Sequence, residues 1–373
     1  MIRLSVIDRR INRAKIRRAD CNLAQNPENS ADLWKLQLSI NFLITESVKA
    51  LVTGGGGFLG QYIVEQLIAR GDSVRSLSRN RYPALDELGV EQVAGDLQDA
   101  GKVNQACRGV DTVFHVAAVA GIWGPWKKYF GINTQGTLNV IDACHQNEVS
   151  KLVYCSSPSV VFAGEDQQNV DESVPYPEHW LCYYPQTKAL GERAVLEANS
   201  ESLLTCALRP HLIWGPRDQH LIPRLIERGR SGKLRIVGDG TNLVDNVYVE
   251  NAAAAHLQAA DALAPGSPVC GQAYFISQGK PVNCWDWINE ILERSGEKKV
   301  TRKISFKVAW GIGWAMEMAY RILGRQSEPR MTRFLAAQLA TDHYYNIDKA
   351  RKDFGYAPAV SSEEGMERLI KSL

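Results

Sequence analysis

Tyr184 and Lys188 stand four residues apart in YPQTK, which places both on one face of a helix. A phenol and an ammonium in that relation suit the interconversion of a ketone and an alcohol. The phenol gives a proton to the oxygen as hydride reaches the carbon, and the cation makes a group of pKa about 10 usable near neutrality. The pairing is cheap by itself, and a second one occurs at Tyr345 and Lys349. Context separates them. Tyr184 opens its helix after the apolar run KLVYCSS, whose end carries Ser156, Ser157 and Ser159, hydroxyls able to hold a substrate oxygen. Tyr345 lies near the C-terminal helix and reads as packing.

The second chemical feature is LVTGGGGFLG, Leu51 to Gly60, between an apolar strand and an amphipathic helix. A glycine turn into a helix N-terminus suits a pyrophosphate, and this strand–loop–helix context is what a dinucleotide needs. The run parses as G-x-G-x-x-G (Gly55, Gly57, Gly60) or as G-x-x-G-x-x-G (Gly54, Gly57, Gly60), with Phe58 and Leu59 inside it. The blander alternative is a structural turn. An NAD site normally has an acidic residue about twenty positions on, for the ribose hydroxyls. Here the second strand ends at Ser78 and Arg79, with Arg75 and Arg81 nearby and no carboxylate. A hydroxyl and a guanidinium suit a 2′-phosphate, so NADP(H) is favoured over NAD(H), against the alternative of a solvated loop arginine. Asp96 in AGDLQD, followed by Leu97, is an adenine contact or a helix N-cap.

These residues need a scaffold, and from Val48 the pattern supplies one. Apolar runs (ALVTG, SVRSLS, TVFHVAA, KLVYCSS, LTCALRP) alternate with amphipathic segments such as QYIVEQLIARG and TLNVIDACHQN. That alternation predicts an α/β fold, a Rossmann-like doubly wound parallel sheet. After Pro210 the texture changes to WGPRDQHLIPRL and VGDG, then an alanine-rich helix over 251–263 and a last strand, AYFIS. We therefore expect a Rossmann domain over 48–210 plus 244–277, and a smaller, mostly helical substrate domain over 211–243 plus 278–373. Residues 1–47 are expected to be a poorly ordered extension, and its first twenty residues carry seven Lys or Arg against two Asp.

Composition narrows the class. The 373 residues are 45% hydrophobic and 23% charged with a net charge of +2, which gives no electrostatic case for a nucleic-acid partner. Eight scattered cysteines without a C-x-x-C pair suit free thiols in the reducing cytoplasm, and argue against disulfide or zinc frameworks and any metal. The most apolar stretch, Phe306 to Leu323, contains Lys307, Glu317 and Arg321, so at most a peripheral membrane contact is expected. It reads first as a core helix, and second as a cover for an alkyl chain or a membrane-touching face.

Taken together, TGGGGFLG, GDLQD, HVAA, NTQGT from Asn133, YCSSPSVV, YPQTK and RPHLIWGP resemble the extended short-chain dehydrogenase/reductases, in the branch of 3β-hydroxysteroid dehydrogenases, over residues 48–373. The resemblance implies Ser157 as catalytic hydroxyl, Tyr184 as acid, Lys188 as its modulator and Asn133 as a residue shaping the site. It also implies Pro210 and Ile213 at the nicotinamide, and His115, Ala117 and Ala118 beside the adenosine and ribose. Within the branch, VGDGTNLVDNVYVENAAAAH and AYFISQG resemble bacterial reductases of 2-alkyl-3-oxo acids in long-chain olefin biosynthesis. That implies NADPH, a long-chain keto acid as small-molecule partner, contact with other enzymes of the pathway, and a homodimer. Alternatives are an NAD-dependent sterol dehydrogenase, a nucleotide-sugar epimerase (disfavoured by an apolar second domain), and a non-catalytic NADP sensor (disfavoured by the intact Ser157, Tyr184 and Lys188).

On the substrate side, GIWGPWKKYF follows the fourth strand. Trp123 and Trp126 would line an apolar channel and Lys127 or Lys128 meet a carboxylate, or the four are surface groups. His220 and Arg224 are further carboxylate partners, although His220 also reads as a structural hydrogen-bonder.

Overall fold

A computed structural model describes residues 48–373, and the expectations for 1–47 lie outside that range. Seven strands form one sheet: β1 (Lys49–Thr53), β2 (Ser73–Ser78), β3 (Glu91–Ala94), β4 (Thr112–His115), β5 (Lys151–Cys155), β6 (Leu204–Pro210) and β7 (Gln272–Ile276). Their spatial order is β3-β2-β1-β4-β5-β6-β7, every neighbour pair parallel. The strands read as continuous apolar runs because both faces are covered, as parallel sheets require. β1, for example, buries Ala50, Leu51, Val52 and Thr53 completely.

The order in which successive strands are added to the sheet reverses between β1 and β4, so the crevice above their carboxyl ends is where such a sheet binds ligands. Helix α1 (Phe58–Ala69) leaves β1 there and buries Leu59, Ile63, Val64 and Leu67 as one stripe. Helix α2 (Ala100–Cys107) follows β3, and α3 (Gly136–Gln146) follows β4 after a π-helical turn at Phe130–Gln135. Helix α4 (Tyr183–Glu197) carries the YPQTK pair back over the sheet. Beneath it Glu192 holds Arg209 of β6 through bonds of 2.6 and 3.0 Å, with both side chains buried. The pair offsets the cost of burying each charge and ties α4 to β6.

Beyond β6 lie α5 (Leu221–Arg230), α6 (Val249–Ala262), α7 (Cys284–Arg294) and α8 (Phe306–Ile322). Trp214, Tyr248, Trp285, Trp287 and Ile288 build a further apolar cluster among these segments. Small strands also occur, including Leu243–Val244, Val282–Asn283 and His343–Tyr345 in a four-stranded sheet.

Helix α8 corrects the first reading of Phe306 to Leu323 as core. Its buried stripe is only Ala309, Gly313 and Glu317. Gly313 lets the helix close onto the next segment, since a Cβ there would lie 2.6 Å from the carbonyl carbon of Thr332. The bulky residues point elsewhere: Val308, Ile312, Trp314 and Ile322 are exposed, Ile322 by 85%. Apolar residues all round the helix concealed which stripe packs. Among the described residues no helix is long and apolar enough to cross a membrane.

Candidate active site

At the carboxyl ends of the strands lies a cleft of about 570 Å³. The glycine loop shapes one end. Gly54 has φ of +72°, where a side chain is strained, and a Cβ there would stand 3.0 Å from Ala117. Gly60 permits the closest approach, because a Cβ would fall 2.1 Å from the Gly54 carbonyl oxygen. Gly57 differs: apart from that oxygen at 3.2 Å, its Cβ direction is open. Gly55 and Gly56 are constrained as well, since Cβ atoms on them would meet Ser76 and the ring of Tyr82.

Gly57 is the N-cap of α1 and provides no side-chain cap, and the first turn holds no acid. The N–H groups of Phe58, Leu59 and Gly60 therefore point unscreened at the cleft, an anion cradle reinforced by the helix dipole. These residues fit a dinucleotide pyrophosphate.

Of the residues expected at a cofactor, Gly54, Gly57, Phe58, Leu59, Gly60, Ser78, Arg79, Asp96, Leu97, Ala117, Ala118, Tyr184, Lys188, Pro210 and Ile213 all line this cleft. The three arginines near β2 separate by partner. Arg75 is turned away, donating to the carbonyls of Ala106 and Arg108 and pairing with Glu91. Arg81 is held in a fork by Asp86 at 2.9 Å. Arg79 lines the cleft and has no hydrogen bond or ion pair among the described residues. Asp96 accepts the backbone N–H of Gln98 in a local turn, whereas the N-cap of the following helix is Asp99. Sequence reasoning missed Tyr82 and Asn80, which also line the cleft; neither carries a motif signal.

His115 is placed differently from its expected position beside the adenosine. It is buried beneath the cleft, with Nδ1 2.8 Å from the Thr53 hydroxyl and Nε2 3.0 Å from that of Thr137. Thr53 accepts the N–H groups of Val116 and Ala117, so its proton goes to Nδ1, and the Nε2–H donates to Thr137. Burial, with Lys188 nearby, pulls this imidazole down to about 3, so it is neutral. It braces the loop on which Ala117 and Ala118 sit.

Asn133 is likewise internal. In the π-helical turn its amide exchanges two hydrogen bonds with Val119, at 2.8 and 3.1 Å, and donates to Thr187 at 3.2 Å. It pins the loop after β4 to α4, a use typical of π turns at functional sites.

The catalytic set converges at the other end. Ser157 caps a short 3-10 turn, accepting the N–H of Ser159, and its Oγ lies 2.9 Å from the Ser159 hydroxyl. Burial raises the pKa of the Tyr184 phenol, and the Ser157 hydroxyl works against that rise. Lys188 is fully enclosed; its Nζ donates to the Cys155 carbonyl at 2.6 Å and stands 3.9 Å above the Tyr154 ring. Burial brings its ammonium down to about 8. Lys188 reaches the site from below rather than pairing with Tyr184 directly. The other YxxxK pair is packing: Tyr345 is buried and bonds Gln167, while Lys349 bonds Gln272.

The expected substrate residues divide. His220 lines the cleft near its Pro210 end. Arg224 is held by Glu328 and lines no described cavity, so the structure does not offer it to a ligand. Trp123 and Trp126 line a separate cavity of about 330 Å³, with Tyr129, Tyr183 and Tyr320. Lys127 and Lys128 line neither. Among the described residues no cluster of His, Cys, Asp or Glu is arranged to hold a metal.

Comparison with known proteins agrees with this geometry. The profile of the 3-beta hydroxysteroid dehydrogenase/isomerase family matches residues 51–308. The chain is 48% identical to a 2-alkyl-3-oxoalkanoate reductase of Shewanella oneidensis, over 90% of this chain and 89% of the relative. It is 50% identical to one of Stenotrophomonas maltophilia, over 87% and 99%. A sterol-4-alpha-carboxylate 3-dehydrogenase (decarboxylating) of Mus musculus is 37% identical over 88% and 92%. Among solved structures, that of gox2253 superposes with a TM-score of 0.71 at 26% identity, covering 87% of this chain and 98% of that one. MoeE5 in complex with UDP-glucose and NAD gives 0.66 at 25%, with the same coverage. The chain belongs to the 3-beta hydroxysteroid dehydrogenase/isomerase family, in the extended short-chain dehydrogenase/reductase branch, and is an NAD(P)-dependent oxidoreductase of the ketone/CH–OH class.

Proposed function

We propose that this protein uses NADPH to reduce a long-chain 2-alkyl-3-oxoalkanoate to the 2-alkyl-3-hydroxyalkanoate, as a step of olefin biosynthesis. The observation that carries the reading is one cleft with an uncommitted Arg79 at one end and Ser157, Tyr184 and Lys188 at the other. The two bacterial relatives bear the name of this activity. When bound, the dinucleotide supplies the hydride. Ser157 holds the ketone oxygen, and Tyr184 delivers a proton to it as the carbon is reduced. Lys188, with a pKa near 8, replenishes that proton and holds the ribose hydroxyls. Arg79 and Ser78 meet the 2′-phosphate, where a charge-assisted fork contributes about 1.5–3 kcal/mol.

The second reading is a sterol-carboxylate dehydrogenase working with NAD, favoured by the 37% identical relative. The substrates in the names of these two relatives share one chemical feature, an oxygen-bearing carbon adjacent to the carbon that bears the carboxylate. A panel settles the choice: a 2-alkyl-3-oxo acid with NADPH, a 3β-hydroxysterol-4-carboxylate with NAD+, and a UDP-sugar with NAD+. Turnover of the first pair alone supports the proposal. Faster turnover of the sterol carboxylate would replace it.

A further inference from the structure

The aromatic cavity beside the cleft holds charge that the catalytic set does not use. Its lining includes Glu317, Arg321, Arg325 and Arg333, all reached from α8 and the chain just after it. Glu317 is buried and takes Arg333 through a fork at 2.9 and 2.7 Å, so that pair is neutral. Nearby Glu328 is taken by Arg224. Arg321 and Arg325 have no carboxylate partner among the described residues. Each lies instead over an aromatic wall, Arg321 over Trp123 at 5.8 Å and Arg325 over Tyr320 at 5.6 Å. Those two rings meet edge to face at 6.1 Å, and the Trp123 indole donates to the Arg325 carbonyl at 3.1 Å. The result is a pair of stacked guanidiniums at one cavity, both free to offer forked donors to a planar anion.

Two stretches of chain wall both spaces. Tyr183 lines this cavity and Tyr184 the catalytic cleft, consecutive residues in the first turn of α4. The loop after β4 likewise runs from Ala120 in the cleft to Ile122 and Trp123 in the cavity. Tyr129, in the cavity lining, donates to the Trp123 carbonyl at 2.9 Å. The cleft and the cavity are thus neighbours across these two stretches. In a 3-oxo acid bound with its ketone at Tyr184, the anionic group two bonds from the ketone carbon is the carboxylate.

We propose that Arg321 and Arg325 bind the carboxylate of a long-chain acid substrate, with Trp123, Trp126 and Tyr320 packing its first methylenes. This rests on reading the substrate as a 3-oxo acid. It commits the enzyme to a free acid, because a thioester has no anion at that position.

The test compares the full-length protein with the double variant Arg321→Gln/Arg325→Gln, both loaded with NADP+. Calorimetric titration with decanoate, using 1-decanol as the uncharged control, reads binding without turnover. The proposal expects decanoate affinity to fall about 10–100-fold in the double variant, to return in part in Arg321→Lys/Arg325→Lys, and decanol binding to hold. Unchanged decanoate binding, or an equal loss for decanol, overturns it. With a 2-alkyl-3-oxo acid the same variant raises KM at little change in kcat, while KM for the methyl ester stays put. Preference for the coenzyme A thioester over the free acid also overturns it. Turnover of no 3-oxo acid, with the decanoate result intact, refutes the proposed reaction and leaves the acid site standing.

Discussion

Lys188 donates to the Cys155 carbonyl at 2.6 Å, which ties the second turn of the catalytic helix to the last residue of β5. Ser157 follows two residues beyond that strand end. One hydrogen bond therefore sets the spacing between the helix that bears Tyr184 and the turn that bears the substrate hydroxyl. Proton donor and oxygen holder come from rigid elements, as a pre-organised site needs.

Tyr184→Phe removes the phenol that lines the cleft with Ser157 and leaves the ring's packing in place. We expect kcat to fall about 10²–10⁴-fold while the dissociation constant of NADPH changes by less than about twofold. Fluorescence titration of NADPH beside steady-state rates checks this; parallel loss of both would make Tyr184 a structural residue.

The Lys188 ammonium, brought down by burial to about 8, loses its proton well below the ordinary lysine value of 10.5. Reduction consumes a proton that this group helps supply, so kcat/KM falls as pH rises through about 8 and levels off below it. A profile from pH 6 to 10 (a range of roughly four units about that value) tests the sign, and Lys188→Met should lower the plateau and erase the limb.

Arg79→Ala should raise KM for NADPH about 10–100-fold and leave NADH almost untouched, because only the phosphate loses its fork. Arg81→Ala is the internal control, since Asp86 already occupies that guanidinium. Equal effects of the two substitutions, measured as the NADPH/NADH ratio of kcat/KM, would remove Arg79 from the cofactor site.

Two loop glycines should fail in different ways. Gly60→Ala puts a methyl 2.1 Å from the Gly54 carbonyl oxygen and costs about 2 kcal/mol or more of stability. Gly57→Ala meets only the Gly54 carbonyl oxygen, at 3.2 Å, keeps an allowed φ of −82°, and lowers the melting temperature much less than Gly60→Ala. It nevertheless blocks the pyrophosphate and loses NADPH binding. Thermal melts with and without NADPH separate the two cases.

Much of the fold was legible in the sequence. The sheet was readable because buried parallel strands are apolar throughout and each is followed by an amphipathic helix. The glycine loop and the Tyr184–Lys188 spacing were readable because local turn and helix geometry fix them, whereas Ser157 was singled out from Ser156 and Ser159 only by the family resemblance. What sequence could not give is the partner of each long charged side chain. Arg224 meets Glu328 about a hundred positions away, while of Arg79 and Arg81, two residues apart, only Arg81 has a partner among the described residues. His115 sat in a motif beside the cofactor, yet strand alternation turned it inward to Thr53 and Thr137. Trp123 and Trp126 were expected to line an apolar channel or sit on the surface, and they line a cavity separate from the main cleft. Helix α8 hid its packing stripe because small residues and one paired glutamate, rather than its bulky groups, face inward.

The most direct test follows the transferred atom. The enzyme is incubated with a long-chain 2-alkyl-3-oxo acid and NADPH deuterated at C4 of the nicotinamide, and the product is read by mass spectrometry. The account predicts one deuterium at C3 of a 2-alkyl-3-hydroxy acid, formed by the wild type and abolished in Tyr184→Phe. Product without deuterium at C3, or label delivered only from NADH, would contradict it.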